Sequence, residues 1–196
     1  MRALVLIHRW LGVAFCLLFA MWFASGMVMH FVPFPSLSES ERVAGLARID
    51  PASIAIAPRD ALIRLGEHDL QRLRLVAPAA TPVYIGSRQD RAVTALDART
   101  GNNLAVDGAF ALASARAHAH ARGLAAPQLM LVATALHDQW SVPNGFDAHR
   151  PLHRIALGDA SGTELYVSSV TGEVVLDTDR FEIGRASCRE RVCLAV

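Results

Sequence analysis

The longest apolar stretch of this 196-residue chain lies close to its N-terminus. From Leu11 to Val32 the sequence is apolar for about 22 residues, apart from Ser25 and His30. A helix of that length is about 33 Å long, enough to span a hydrocarbon core of roughly 30 Å. Residues 1–34 are therefore predicted to hold one transmembrane helix, which ends near the prolines that follow it because proline removes a helical donor.

Beyond this run the pattern changes to short segments with helical or alternating periodicity. Residues 35–56 are mostly polar and are predicted to form a connector. A helix is predicted from Pro58, a residue that suits the first helical position, to just before Gly66. A second helix is predicted over 108–122, closed by Gly123. Alternation predicts strands at 72–77, 82–87, 92–97, 129–137, 152–157 and 163–168, with short apolar stretches at 104–107 and 174–177.

The two halves of this region repeat one another. A shift of 71 residues places Thr100-Gly101 over Thr171-Gly172 and Leu96 over Val167. We therefore predict an α+β fold with two units, each a helix packed on an antiparallel sheet. The first unit covers 57–107 and the second 108–180, with an insertion at 138–150 that is expected to be a surface loop.

Composition and charge narrow the class of protein. The chain is 53% hydrophobic with a net charge of +1, and no basic patch follows a nucleic acid backbone, so nucleic acid is not an expected partner. Arg2 and Arg9 precede the apolar run, which favours a cytoplasmic N-terminus in a bacterial inner membrane and places residues 36–180 in the periplasm. A cleaved signal peptide is the alternative, although its apolar region is usually only about 7–15 residues long.

The C-terminal segment differs from the rest of the chain. Residues 181–196 have neither helical nor strand periodicity and resemble the translation of a DNA-sequencing adapter. We expect this tail to be non-native and the natural protein to continue along another path. A disulfide between Cys188 and Cys193 is the alternative, while Cys16 within the apolar run is expected to be a packing residue.

Two histidines flank the apolar run. His8 precedes it and His30 lies near its end, so on one helix they are about 33 Å apart and differ by roughly 40° in direction. Ionisable groups at membrane depth are candidates for function, and this spacing would suit one redox centre near each leaflet. The alternative is an interfacial role for both, with Trp10 beside His8 at the level of the lipid headgroups.

The remaining histidines give weaker signals. His118 and His120 are two positions apart on a predicted helix, point in different directions and are expected to be solvated. Four residues around the insertion would either gather about a metal or ferric ligand or belong to a polar loop. They are His137, Asp138, His149 and His153. No motif of a hydrolase, a nucleotide-binding enzyme or a zinc site is present, so no catalytic residue is predicted.

Several motifs together resemble a known family. They are His8-Arg9-Trp10-Leu11-Gly12 with Trp22 and Ser25-Gly26, then Asp147 to His153, and the stretch Gly162 to Val175 that contains Thr-Gly-Glu-Val. Over residues 5–180 the chain resembles the PepSY-associated transmembrane proteins. That resemblance implies about four membrane helices around periplasmic PepSY modules, so this chain would be the N-terminal part of a multi-span protein with one visible helix.

The resemblance also implies a function. Some members are haem-containing reductases of ferric siderophores, so the intact protein is expected to carry electrons across the membrane through haem b. His8 and His30 would be axial ligands, each paired with a histidine on a helix outside this chain. The partners expected are the lipid bilayer, those further helices and a ferric siderophore. The alternatives are a non-enzymatic PepSY module that binds a periplasmic peptide or protein, and a structural subunit of a transporter.

Overall fold

The computed structural model of the chain describes residues 2–31 and 36–179. These residues fall into two compact bodies, the N-terminal helix and an α+β body from Ser36 to Asp179. The predicted tail at 181–196 lies outside the described residues, as does the predicted end of the first helix near Pro33.

Helix α1 covers Arg2–Phe31 and begins well before the apolar run. Its stretch Arg2–Met27 has a mean hydropathy of 2.0 and large apolar side chains that are exposed to the surroundings. By length and composition this helix is able to cross a membrane, and a signal sequence near an N-terminus has the same features. The prediction of a long apolar N-terminal helix is confirmed.

The predicted connector contains a short helix, α2, at Glu39–Ala44. Ser38 caps it, because its hydroxyl accepts from the backbone N–H of Glu41 at 3.3 Å while the Glu41 carboxylate accepts from the backbone N–H of Ser38 at 3.0 Å. This reciprocal pair is a capping box, in which serine and glutamate three positions apart satisfy two free backbone donors. The sequence therefore contained the signal for α2, although too few apolar residues follow it to give a helical period.

Sheet A is antiparallel with the strand order β1-β2-β3. Its strands are β1 Leu70–Val76, β2 Val83–Arg88 and β3 Val93–Asp97. Helix α3, at Pro58–Leu65, packs on one face and buries Tyr84 and Leu96, which are opposite one another in the register. Both ends of α3 are as predicted, since Pro58 begins it and Gly66 ends it with a φ of 89°.

Sheet B is antiparallel with the strand order β4-β5-β6-β7. Its strands are β4 Met130–Ala135, β5 Leu152–Ala156, β6 Glu164–Ser168 and β7 Val174–Thr178. Helix α4, at Gly108–Arg122 as predicted, covers one face of this sheet with buried alanines, against Ile155 and Leu165. The mixed α+β class and the two antiparallel sheets are thus confirmed.

The 71-residue repeat is visible at β3 and β6, whose bounds differ by that shift. The turns that follow are alike, since Gly101 and Gly172 have φ values of 75° and 70°, where a side chain would be strained. After the turn, sheet B adds β7, whereas sheet A has a single bridge between Leu96 and Asn103. The stretch predicted at 104–107 is therefore not a strand.

Helix α4 has neighbours on two sides. Its buried residues Ala111, Ala115 and Ala119 belong to the core above sheet B. Another side of the helix contacts Pro78–Ala80 between β1 and β2, and the ring of His118 lies against Gly45 at the end of α2. A helix rich in alanine suits this position, because small side chains let neighbouring backbone approach closely.

The insertion at 138–150 has exposed residues at 142–145 and is also anchored to sheet B. Trp140 is only 4% exposed. Asp138 accepts a hydrogen bond from the hydroxyl of Tyr166 on β6 at 2.8 Å. The guanidinium of Arg150 donates to the backbone carbonyls of Leu136 and Ser141, which closes the segment on itself. The buried tryptophan and these hydrogen bonds therefore hold the insertion against sheet B.

Candidate functional site

Helix α1 contains both histidines proposed as haem ligands. The helix is continuous from Arg2 to Phe31, so the backbone places positions 8 and 30 on one rod, as predicted. The side chain of His8 is exposed, and His8 is the only histidine within residues 2–27. The side chain of His30 lies outside the described residues. The role of both histidines as ligands remains a prediction.

The four polar residues around the insertion do not gather at one point. His153 is held between the hydroxyl of Thr134, 2.8 Å from Nδ1, and the carbonyl of Val106, 3.2 Å from Nε2. Because a carbonyl only accepts, Nε2 carries the proton and Nδ1 accepts from Thr134. His137 is exposed, and Asp138 and His149 each have other partners. Within 2–31 and 36–179, no three His, Cys, Asp or Glu residues are placed to hold a metal.

Asp138 organises the insertion rather than a ligand site. Burial raises the pKa of this carboxyl, but hydrogen bonds from Tyr166, Ser141 and the backbone of Trp140 outweigh burial and lower it. Burial and the hydrogen bond to Asp138 raise the pKa of Tyr166 well above its usual range. The pair therefore stays an ionised carboxylate and a neutral phenol at neutral pH, and it fixes the insertion to β6.

His118 is buried, so the prediction that it is solvated was wrong, whereas His120 is exposed as predicted. Two positions along a helix turn a side chain by about 200°, and α4 has packed neighbours on the side where His118 lies. Burial, and then the charge of Arg122, lower the pKa of His118 to about 4. Among the described residues, its Nε2 and the hydroxyl of Ser114 one turn earlier are buried without a hydrogen-bond partner.

A buried ionic cluster joins the two units. Glu173, 2% exposed in the turn before β7, accepts from both terminal nitrogens of Arg74 on β1, at 3.1 and 2.9 Å. Its Oε2 also accepts from Arg42 on α2 at 3.1 Å. Such a two-pronged guanidinium–carboxylate contact is among the strongest hydrogen-bonded arrangements in proteins. Both carboxylate oxygens are therefore engaged by residues of the preceding half of the chain.

His149 lies beside this cluster. The hydroxyl of Ser168 donates to the backbone carbonyl of His149 at 3.1 Å, so that hydroxyl accepts from His149 Nδ1, 3.3 Å away. Burial, and then the charge of Arg42, lower the pKa of His149 to about 4, with Glu173 opposing and Arg74 adding to the effect. We name the set Arg42, Arg74, His118, His149 and Glu173 the seam, since its members lie where α2 and the two units meet.

The outer strand of sheet B is the second distinctive surface. Within the described residues β4, one of the two outer strands of sheet B, pairs with β5 alone, and its six residues include no charge and no proline. Of the seven large apolar side chains exposed between Ser36 and Asp179, five lie in β4 or just after it. They are Met130, Leu131, Val132, Leu136 and Val142. We name Met130–Ala135 with Leu136 and Val142 the β4 edge.

Comparison with known proteins gives no relative. No protein family, no curated protein and no solved structure shows a significant match to this chain. The resemblance to the PepSY-associated proteins therefore stays a prediction.

Sequence reasoning missed the seam and the β4 edge. Glu173 belongs to the Thr-Gly-Glu-Val turn, and a charged residue between a turn and an apolar strand is normally expected to be solvated. Its arginine partners are 131 and 99 residues away in sequence, so no local pattern links them. The signal for β4 was present, since Leu129 to His137 alternates poorly and contains no charge. An uncharged outer strand, however, is recognised only once the strand order is known.

Proposed function

We propose that this chain is a membrane-anchored, non-enzymatic binding module, which adds an extended segment of a partner polypeptide to the β4 edge. The observation that carries the proposal is an outer strand that is uncharged and apolar. An outer strand presents a row of unpaired backbone N–H and C=O groups, and proteins usually protect it with lysine, proline, an inward-pointing charge or a bulge. β4 has an irregularity between Leu131 and Ala133 but no charge and no proline. Recognition by strand addition uses such a row for affinity and the side chains for specificity.

The chemistry of the β4 edge favours an apolar polypeptide over a lipid surface. From Leu129 to Val142 the only formal charge at neutral pH is that of Asp138, and the nearby guanidinium of Arg150 is 7% exposed and donates to backbone carbonyls, so little cationic surface attracts anionic headgroups. The exposed side chains of Met130 and Val132 lie next to free backbone groups, which lipid tails do not satisfy. An extended segment with alternating apolar side chains satisfies both requirements.

Helix α1 fits the role of an anchor in this proposal. Its length and mean hydropathy suit a membrane span, and the arginines at its start favour an N-terminus in the cytoplasm. The α+β body would then act outside the inner membrane, as a PepSY-like module that restrains or senses its partner. Anchoring would raise the concentration of the module near other envelope proteins.

A charge at the centre of the β4 edge is expected to abolish binding. In the full chain in detergent micelles, we expect a fluorescent peptide alternating valine and threonine to bind wild type. Val132→Arg is expected to weaken binding at least about tenfold, because an added strand would have to bury the guanidinium or pair beside it. Fluorescence anisotropy measures the affinity.

Two controls make this test specific. Ile63→Arg places the same charge on α3, at a side chain that is 59% exposed and far along the chain from β4, and should leave binding unchanged. A peptide methylated on every backbone nitrogen should bind neither protein, since it has no N–H group left to donate to a strand ladder. Equal binding by the wild type and Val132→Arg would refute the proposal. Pairing of two copies through β4, seen as a dimer by light scattering, would also refute it.

Transmembrane electron transfer through haem is the second candidate. The observation that favours electron transfer is that helix α1 is continuous and contains both His8 and His30. Imidazole is a common axial donor to haem iron, and haem bound there would supply one-electron transfer. This chain would contribute one imidazole per haem, with the partner ligand on another helix of a longer protein.

If the protein transfers electrons through haem, its visible haem absorption is expected to depend on His8. In the natural full-length protein, His8→Ala is expected to remove the absorption band of one haem, because the iron loses an axial nitrogen. His120→Ala, at an exposed position of α4, should leave the visible spectrum unchanged. A bis-histidine spectrum that survives both His8→Ala and His30→Ala would exclude these residues as ligands.

A further inference from the structure

The seam holds two neutral imidazoles next to permanent positive charge. His118 and His149 are both buried, and each has arginine side chains in its surroundings. A buried imidazole that gains a proton must hold a charge away from water, which is unfavourable unless an anion faces it. Glu173 is the anion next to His149, and its two oxygens already accept from Arg74 and Arg42.

The charged groups around His149 come from three elements. They are Arg42 of α2, Arg74 of β1 and Glu173 in the turn before β7. Two positive charges therefore face the ring against one negative charge. A proton on His149 would offset the negative charge of Glu173 on the same side of the cluster, so the attraction between the two units would weaken.

The charge that lowers the pKa of His118, after burial, is that of Arg122. Arg122 lies on the same helix and pairs with Glu41 of α2 at 3.5 Å. Asp177 of β7 interacts with both Arg122 and Glu41. Burial raises the pKa of its carboxyl, so Asp177 holds a negative charge less readily than an exposed aspartate does. The close approach of Gly45 leaves no room for a solvating group on that side, because a Cβ at this position would lie within 2.3 Å of two ring atoms. A charged His118 would have to leave its contact with α2.

We propose that the seam is an acid-operated latch, in which proton uptake by His118 and His149 releases the first unit from the second while each keeps its own fold. Each unit has its own sheet and its own buried core, so neither depends on the seam for its hydrogen-bonded framework. The seam instead controls how the two units are held together.

The direction of the pH effect follows from the two pKa values. In the closed body both histidines have a pKa of about 4, against an ordinary value of 6.5 once released. The released state therefore binds protons first, and acid favours it. The latch is fully closed above about pH 6.5 and weakens as the pH falls toward 4. At about pH 5 each histidine is expected to favour release by roughly 20-fold over its effect at neutral pH.

The test measures the distance between the units in the full chain in detergent micelles. Spin labels are placed on Arg59→Cys in α3 and Ala160→Cys between β5 and β6, both exposed, after Cys16, Cys188 and Cys193 are changed to serine. We expect the distance distribution by double electron–electron resonance to broaden and lengthen between about pH 7 and pH 5, and to return on neutralisation. The circular dichroism of helix and strand should not change over the same range.

Variants identify the groups responsible. The double variant His118→Gln, His149→Gln should keep one short distance at both pH values, and His120→Gln should behave like wild type. Should the double variant fail to fold, Glu173→Gln gives an independent reading, since it leaves Arg42 and Arg74 unopposed and should lengthen the distance already at neutral pH. The proposal is overturned by a wild-type distance that does not change, by an equal change in a folded double variant, or by loss of circular dichroism together with the distance change.

Discussion

Replacing Glu173 with glutamine is expected to lower the free energy of unfolding of the α+β body by roughly 3–5 kcal/mol. The change leaves Arg42 and Arg74 facing one another without the carboxylate that both contact, and Arg74 is itself only 19% exposed. Removing one partner of a buried ion pair costs more than the pair contributes, because the remaining charges stay out of water. Urea denaturation of the full chain in micelles, followed by circular dichroism, measures the loss.

The matched control is another ion pair of α2. Glu39 accepts from Arg72 at 2.7 Å, but both side chains are more than half exposed. Glu39→Gln is therefore expected to leave the free energy of unfolding almost unchanged, since water and salt screen such pairs. If the two variants lost equal stability, the buried cluster would not be the contact that holds the units together.

Truncating Leu165 to alanine is expected to cost roughly 2–5 kcal/mol of unfolding free energy. Leu165 lies on β6 opposite Ile155, is fully buried and belongs to the core beneath α4. The alanines of the helix cannot extend into the space left by the lost side chain, so a cavity remains. At neutral pH the seam joins the units, and hydrogen exchange should show both sheets losing protection in one transition.

Leu131→Ala is the control for this second prediction. Leu131 is opposite the same residue, Ile155, but on the outer strand, where it is 37% exposed. Its truncation should cost about 1 kcal/mol or less, because little apolar area returns to water and no closed cavity forms. Independent loss of protection in sheet B alone after Leu165→Ala would contradict coupling through the seam.

Local signals predicted the regular elements well. α3 and α4 begin and end where proline, an aspartate cap and two glycines place them, since each such residue acts on the few residues around it. Asp107 accepts from the backbone N–H of Phe110 at 2.8 Å at the start of α4. The bounds of β3 and β6 also agree with the repeat, because turn and strand patterns are encoded within about ten residues.

Long-range contacts account for what the sequence did not reveal. The burial of His118 depends on α2, which reaches it from 73 residues earlier in the chain, and the packing of the insertion depends on Tyr166. A histidine in an alanine-rich helix has the same local pattern whether water or Gly45 faces it. The proposed ligands His8 and His30 were predicted on helical spacing, which holds, but the chemistry attributed to them needs groups beyond this chain.

The outer strands β1 and β4 of the two sheets differ in the side chains that they offer to a neighbouring unit. Arg74 of β1 is opposite Ile85, and Met130 of β4 is opposite Ala156. Because Ile85 and Ala156 are 71 residues apart, Arg74 and Met130 hold equivalent positions in the two sheets. Glu173 corresponds in the same way to Asn102. A hypothetical third copy stacked on β4 would meet methionine where its acid needs a guanidinium. The β4 edge therefore does not repeat the chemistry of β1, and it suits an occupant without such an acid.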